Sequence, residues 1–187
     1  MSSIEHVLAH KAAEVCEEVE LFGDGAKAHE LSNIIKQHAL LATGSAMIPV
    51  PGADLAAMAA TVWTMYVRIN EAVGVSFGDN VLKSIASGVI ANLASVIPGV
   101  AIAMGTSTLL KFIPGIGTVG GMVVGAASNI AVLYVAGVVY LKSLEVLINS
   151  NESLTEDNIK IAIEKTSKDK DFVKNAYEEG KKVAKNR

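Results

Sequence analysis

The chain has 187 residues, which suits one domain with a small appendage, and it is half apolar but only 5% aromatic. A formal net charge of −3 excludes a general nucleic-acid binder, which needs a basic excess. Residues 1–83 hold ten acids and five bases, residues 84–150 only Lys111, Lys142 and Glu145, and residues 151–187 eight acids and nine bases.

This charge distribution divides the chain into amphipathic helices over 1–46, a hydrophobic helical core over 47–150 and charged helices over 151–187. The opening "MSSIEHVLAHKAAEVCEEVE" is polar and acidic and does not read as a signal peptide. Ile4, Val7, Leu8, Val15, Val19 and Phe22 recur at helical spacing. On the opposite face His6, His10 and Glu14 follow one another every fourth residue, a spacing that can hold a metal ion. A solvated face is the simpler reading, because no second ligand cluster accompanies them. Cys16 has no partner for an internal disulfide, and the acids around it disfavour a thiolate.

A second helix runs over about 26–46, with Leu31, Ile34, Ile35, Leu41 and Ala42 as its stripe and His38 on the same face. His38 reads as a core residue with one hydrogen bond, or alternatively as a pH-sensitive group. Pro49, Pro51 and Gly52 break the chain. A third helix follows over 53–73, its face formed by Leu55, Met58, Ala59, Val62, Met65, Tyr66, Ile69 and Val73, and closed by Gly74. Asp54 suits its first turn, and Trp63 sits at the edge of the stripe.

After the turn "SFGDN" a fourth helix reaches about Ile97. Pro98 and Gly99 interrupt it, and a fifth segment reaches Phe112. Pro114 and Gly115 interrupt again, and a sixth helix runs to about Ile148. "IPGVAIAMG" from 97 and "IPGIGTVGG" from 113 form a weak repeat, two similar helix starts. "SLTE" at 153–156 reads as a capping box, followed by two short charged helices broken near 166–169. Their lysines are interleaved with acids, so they read as a solvated amphipathic tail with Phe172, Ala176 and Tyr177 inward. No strand pattern persists. The expected fold is an all-α bundle with a central glycine-rich hydrophobic hairpin.

The middle of the chain carries the functional signal. Residues 84–110 and 112–141 are uncharged runs of 27 and 30 residues, and a bilayer core needs only about 20. Gly117, Gly121 and Gly125 repeat every fourth position, and Gly99, Ala103 and Ser107 repeat the small-residue spacing. Such notches let helices approach closely, in a membrane or in a soluble bundle. A nucleotide loop is disfavoured: Gly115, Gly117 and Gly120 fit G-x-G-x-x-G, but no strand precedes them and the first acid downstream is Glu145. Membrane association is favoured over a fully soluble monomer, with soluble oligomerisation the nearest competitor.

At "IPVPGADLAAMAATVWTMYVRINEAVG" and again at "LLKFIPGIGTVGG" the chain resembles the bacterial domain family DUF697, the YcjF-like proteins. The resemblance covers about residues 40–148. It implies a helical, membrane-associated protein and, as a partner, a separate GTPase-family protein, since this chain has no GTPase motif.

No catalytic set and no cofactor motif is found, so an enzyme is not expected. The leading expectation is a non-enzymatic scaffold or membrane-remodelling protein at the cytoplasmic face of, or inserted in, the bacterial inner membrane. It would contact lipid and copies of itself through the small-residue faces. The alternatives are a soluble helical adaptor that homo-oligomerises and a metal-binding helical protein.

Overall fold

The computed structural model describes residues 25–45, 53–96 and 120–185. The described residues form six helices and no strand: α1 (Gly25–Ser45), α2 (Ala53–Val73), α3 (Asp79–Val96), α4 (Gly120–Asn149), α5 (Glu156–Lys168) and α6 (Lys170–Lys185). The fold is an all-α bundle.

Its axis is α4, which packs against each of the other five helices. Every residue from 129 to 141 is buried, without a polar side to the helix. A helix apolar all round is stable in water only when neighbours surround it. α6, α1 and α5 supply most of that cover, and α2 adds a smaller share. α3 packs chiefly against α2 and α5 and meets α4 over a smaller area. The link from α3 to α4, where the two uncharged runs would turn into a hairpin, lies outside the described residues.

Two glycines let the backbones close up. A methyl group placed on Gly137 would stand 3.0 Å from the Ile35 side chain on α1, and one on Gly180 would stand 2.8 Å from the Ala131 Cα. Side-chain-free positions on α4 and α6 thus set the spacing of the inner layer.

The ends follow from local chemistry. Gly74, at φ +74°, takes the left-handed position that ends α2, and the Val75 amide then reaches the Asn70 carbonyl at 2.9 Å. Asn151, at φ 57°, does the same for α4, with the Glu152 amide 3.0 Å from the Leu147 carbonyl. α5 departs from the expected capping box at Ser153. Thr155 is the cap, in extended conformation, and its hydroxyl accepts from the Asn158 amide at 3.2 Å. Glu156 therefore falls in the first turn beside Asp157, where carboxylates suit the helix dipole. Asp169 separates α5 from α6, its carboxylate accepting from the Asp171 and Phe172 amides at 3.2 and 3.0 Å.

The buried faces largely follow the expected stripes. Met58, Val62, Met65, Tyr66 and Ile69 of α2 are all buried. On α1 the stripe is corrected. Leu41 is 63% exposed, and the buried face runs through Leu31, Ile34, Ile35, His38 and Ala39. On α6 Val173 and Tyr177 are innermost, with Phe172 and Ala176 only half-buried.

Candidate functional site

Most residues singled out from sequence lie outside the described part of the chain: His6, His10 and Glu14, the turn residues Pro49, Pro51, Gly52, Pro98, Gly99, Pro114 and Gly115, and Ala103, Ser107 and Gly117. Gly121 and Gly125 fall within the first two turns of α4. Among the described residues no group of three His, Cys, Asp or Glu is placed to hold a metal ion.

The described part of the uncharged run is α4 itself. Its stretch Asn129–Asn149 is long and apolar enough to cross a membrane, and 89% of its most apolar window is buried inside the molecule. A core helix of a soluble bundle passes the same length test. α4 is nevertheless longer than its companions. Thirty residues make a rod of about 45 Å, whereas the 21 residues of α1 or α2 make about 32 Å and the 18 of α3 about 27 Å. The residues preceding Asn129 on α4, Gly120 to Ser128, carry no charge and continue the same neutral run.

α4 is joined to α2 by a small polar set inside the core. Tyr66 and Tyr140 stack with ring centres 4.1 Å apart. The Tyr140 hydroxyl donates to Asn70 Oδ1 at 2.6 Å, and the Tyr66 hydroxyl donates to the Ala136 carbonyl at 3.0 Å. Both numbers rise by four together, so α2 and α4 run in the same direction. Ser143 adds a bond to the Val139 carbonyl at 2.7 Å and one to Thr166 of α5 at 3.2 Å. α4's two charges also pair, Lys142 Nζ standing 2.6 Å from the nearly buried Glu145 carboxylate.

A cleft of about 480 Å³ opens between α1 and α2, lined by His29, Glu30, Asn33, Arg68 and Glu71 among others. Several of the polar groups around it are matched locally. Lys27 pairs with Glu30 at 3.0 Å and donates to the Ala72 carbonyl, and Arg68 donates to Gln37 at 2.7 Å. Behind it His38 is buried with Nδ1 2.7 Å from the Ile34 carbonyl. Burial holds its pKa below the usual imidazole value, the Arg68 charge adds to this, and the Ile34 bond acts in the opposite sense. His38 is thus a core residue with one backbone bond. Trp63, half-buried at the edge of the α2 stripe, carries Lys83 Nζ 4.5 Å over its ring.

Gly137 and Gly180 are the close-approach glycines that sequence reading passed over. Gly137 was within reach, since it continues the four-residue register of 117, 121 and 125 past Asn129 and Leu133. Gly180 carried no such signal: it stands between two acids and two lysines, in "EEGKK", and only the contact with Ala131 gives it a role.

The chain is 34% identical over 114 residues to magnetosome membrane protein 22 of Magnetospirillum gryphiswaldense. The match covers 60% of this chain and 56% of that protein, so the chain spans little more than half the length of this relative. No protein-family model matches the chain. No solved structure matches it either.

Proposed function

We propose that the chain is a non-enzymatic, helical, membrane-associated scaffold that assembles with copies of itself on a bacterial membrane. The observation that carries this reading is the uncharged run 112–141, whose described part, 120–141, lies in α4, a helix longer than those that pack beside it. In this reading the half from Asn129 onward anchors the bundle, and the half before it meets lipid. The likeness to a protein named as a magnetosome membrane protein supports it. The inner membrane, approached from the cytoplasm, is the proposed location. A GTPase-family protein is the partner that the DUF697 resemblance implies, and membrane remodelling is the activity such a pair would share.

Fractionation tests the location. The protein is expected in the membrane pellet after a high-salt wash and in the supernatant only after detergent. Recovery in the soluble fraction throughout sinks the reading. Self-assembly is tested by Gly121→Leu, which fills the proposed notch. The particle mass in detergent, measured by light scattering, should fall; an unchanged mass removes Gly121 from the contact.

The enclosure of Asn129–Asn149 by the chain's own helices favours a second reading, a soluble cytoplasmic adaptor that homo-oligomerises. The same fractionation separates the two. A metal-binding role would rest on His6, His10 and Glu14, and elemental analysis of the purified chain tests it.

A further inference from the structure

We propose that the cleft between α1 and α2 is a binding site for a small zwitterion of the α-amino-acid class, whose ammonium group meets Glu71 and whose carboxylate meets Arg68. The proposal stands on the cleft alone and holds whether or not the chain sits on a membrane.

The cleft follows from two helices that run in opposite directions. Lys27, early on α1, reaches the Ala72 carbonyl at the end of α2, while Gln37, later on α1, meets Arg68, one turn earlier on α2. Beside these contacts about 480 Å³ stays open, within the range of small-molecule sites. His29 and Asn33 stand one turn apart on its α1 side, and Arg68 and Glu71 about one turn apart on its α2 side, with the buried Ile34 as apolar lining.

The charges decide what fits. Lys27 and Glu30 pair at 3.0 Å, so this couple is matched within the chain. Arg68 and Glu71 are three residues apart on one helix, a spacing at which opposite charges can pair, yet Arg68 turns Nη1 to Gln37 at 2.7 Å instead. That bond holds the guanidinium at the cleft and leaves its other N–H groups to donate. Among the described residues the side chains of His29, Asn33 and Glu71 have no hydrogen-bond or ion-pair partner. One cation and one anion are therefore left side by side. A ligand of a single sign would satisfy one of them and be repelled by the other. A zwitterion matches both, its ammonium donating to the Glu71 carboxylate and its carboxylate accepting from the planar fork of Arg68. The Asn33 amide and the His29 imidazole then remain for a polar side chain of the ligand.

Calorimetric titration of the full chain with L-serine, L-glutamine and L-lysine tests the site, with putrescine and succinate as probes of a single sign. At least one of the amino acids should bind saturably at or below about 10 mM. Putrescine and succinate, each lacking one charged hydrogen bond, should bind at least about tenfold more weakly. Glu71→Gln and Arg68→Gln should each weaken the amino acid by at least about tenfold. Glu164→Gln, an exposed acid on α5 and outside the cleft, should leave it unchanged. Both cleft positions are exposed, and thermal melts check that the variants fold. Should either not, the His29 imidazole resonances of the unsubstituted chain carry the test, since they should shift and saturate with the amino acid. Saturable binding by none of the three amino acids overturns the site. Binding of putrescine or succinate as tight as that of the amino acid overturns the zwitterion. Undiminished binding in both cleft variants, or His29 resonances that do not move, overturns the assignment to this cleft.

Discussion

At the scale of single residues, two glycines in helices make opposite predictions. Gly180 lies against backbone, and the Ala131 Cα 2.8 Å away cannot swing aside as a side-chain tip would. Gly180→Ala should push α6 off α4 and lower stability by about 1–3 kcal/mol. Gly88 on α3 has nothing within 4 Å of its missing methyl, so Gly88→Ala should raise stability by roughly 0.5–1 kcal/mol through helix propensity alone. Urea midpoints of the two variants check both signs. His38 makes a prediction about pH. Its folded-state pKa is depressed, chiefly by burial, so the unfolded chain takes up a proton first as the solution is acidified. Stability from this site is therefore complete above the unfolded value of 6.5 and is lost as pH falls below it, toward the lower folded value. Melting temperatures between pH 8 and pH 5 should show that loss, and His38→Leu should flatten it.

At the scale of the helices, α2 and α4 are joined inside the core by a stacked tyrosine pair and two buried hydrogen bonds. Among the described residues Tyr140→Phe removes the one hydroxyl that meets Asn70 Oδ1, and Asn70 is 4% exposed with its Nδ2 finding no partner there. A buried amide left with neither bond costs about 1–3 kcal/mol. Tyr66→Phe should cost less, because the Ala136 carbonyl it releases lies inside a helical ladder. Denaturant melts of the two variants give the order, and an inverted order would remove Asn70 from the joint. This joint was not legible in the sequence. Tyr66 read as one more apolar position on its stripe and Asn70 as nothing in particular, because a pairing across 70 residues leaves no local periodicity. The helices themselves were legible: the apolar stripe of α2, its closing Gly74 and the break near 166–169 all follow from local rules of backbone and burial. The misread cap of α5 shows their limit. Ser153 and Thr155 are both capping residues, and the one in extended conformation directly before the first helical turn takes the role.

At the scale of the whole molecule, the question is which half of the neutral run belongs to the bundle and which to lipid. The sequence marked 112–141 as one uncharged piece, and neither composition nor periodicity divides it. In its later part packing encloses every residue from Asn129 to Leu141, and the division before Asn129 is the proposed one. A charge placed in each half should therefore fail in a different way. Val135 is 0% exposed, so Val135→Asp buries an unpaired carboxylate in the bundle axis. It should cost more than about 3 kcal/mol, enough to abolish cooperative melting. Val123 lies on the same helix, twelve positions earlier, within the half proposed to meet lipid. Val123→Asp should leave the melt of the bundle close to wild type, while a carboxylate in the lipid-facing stretch costs up to about 2.5–3.5 kcal/mol of insertion, its value at the centre of a membrane helix, and should move the protein out of the floating vesicle fraction. If Val123→Asp unfolds the chain as Val135→Asp does, the earlier half is core as well, and the soluble adaptor becomes the better account. If it folds and still floats with the vesicles, the lipid contact lies elsewhere on the chain.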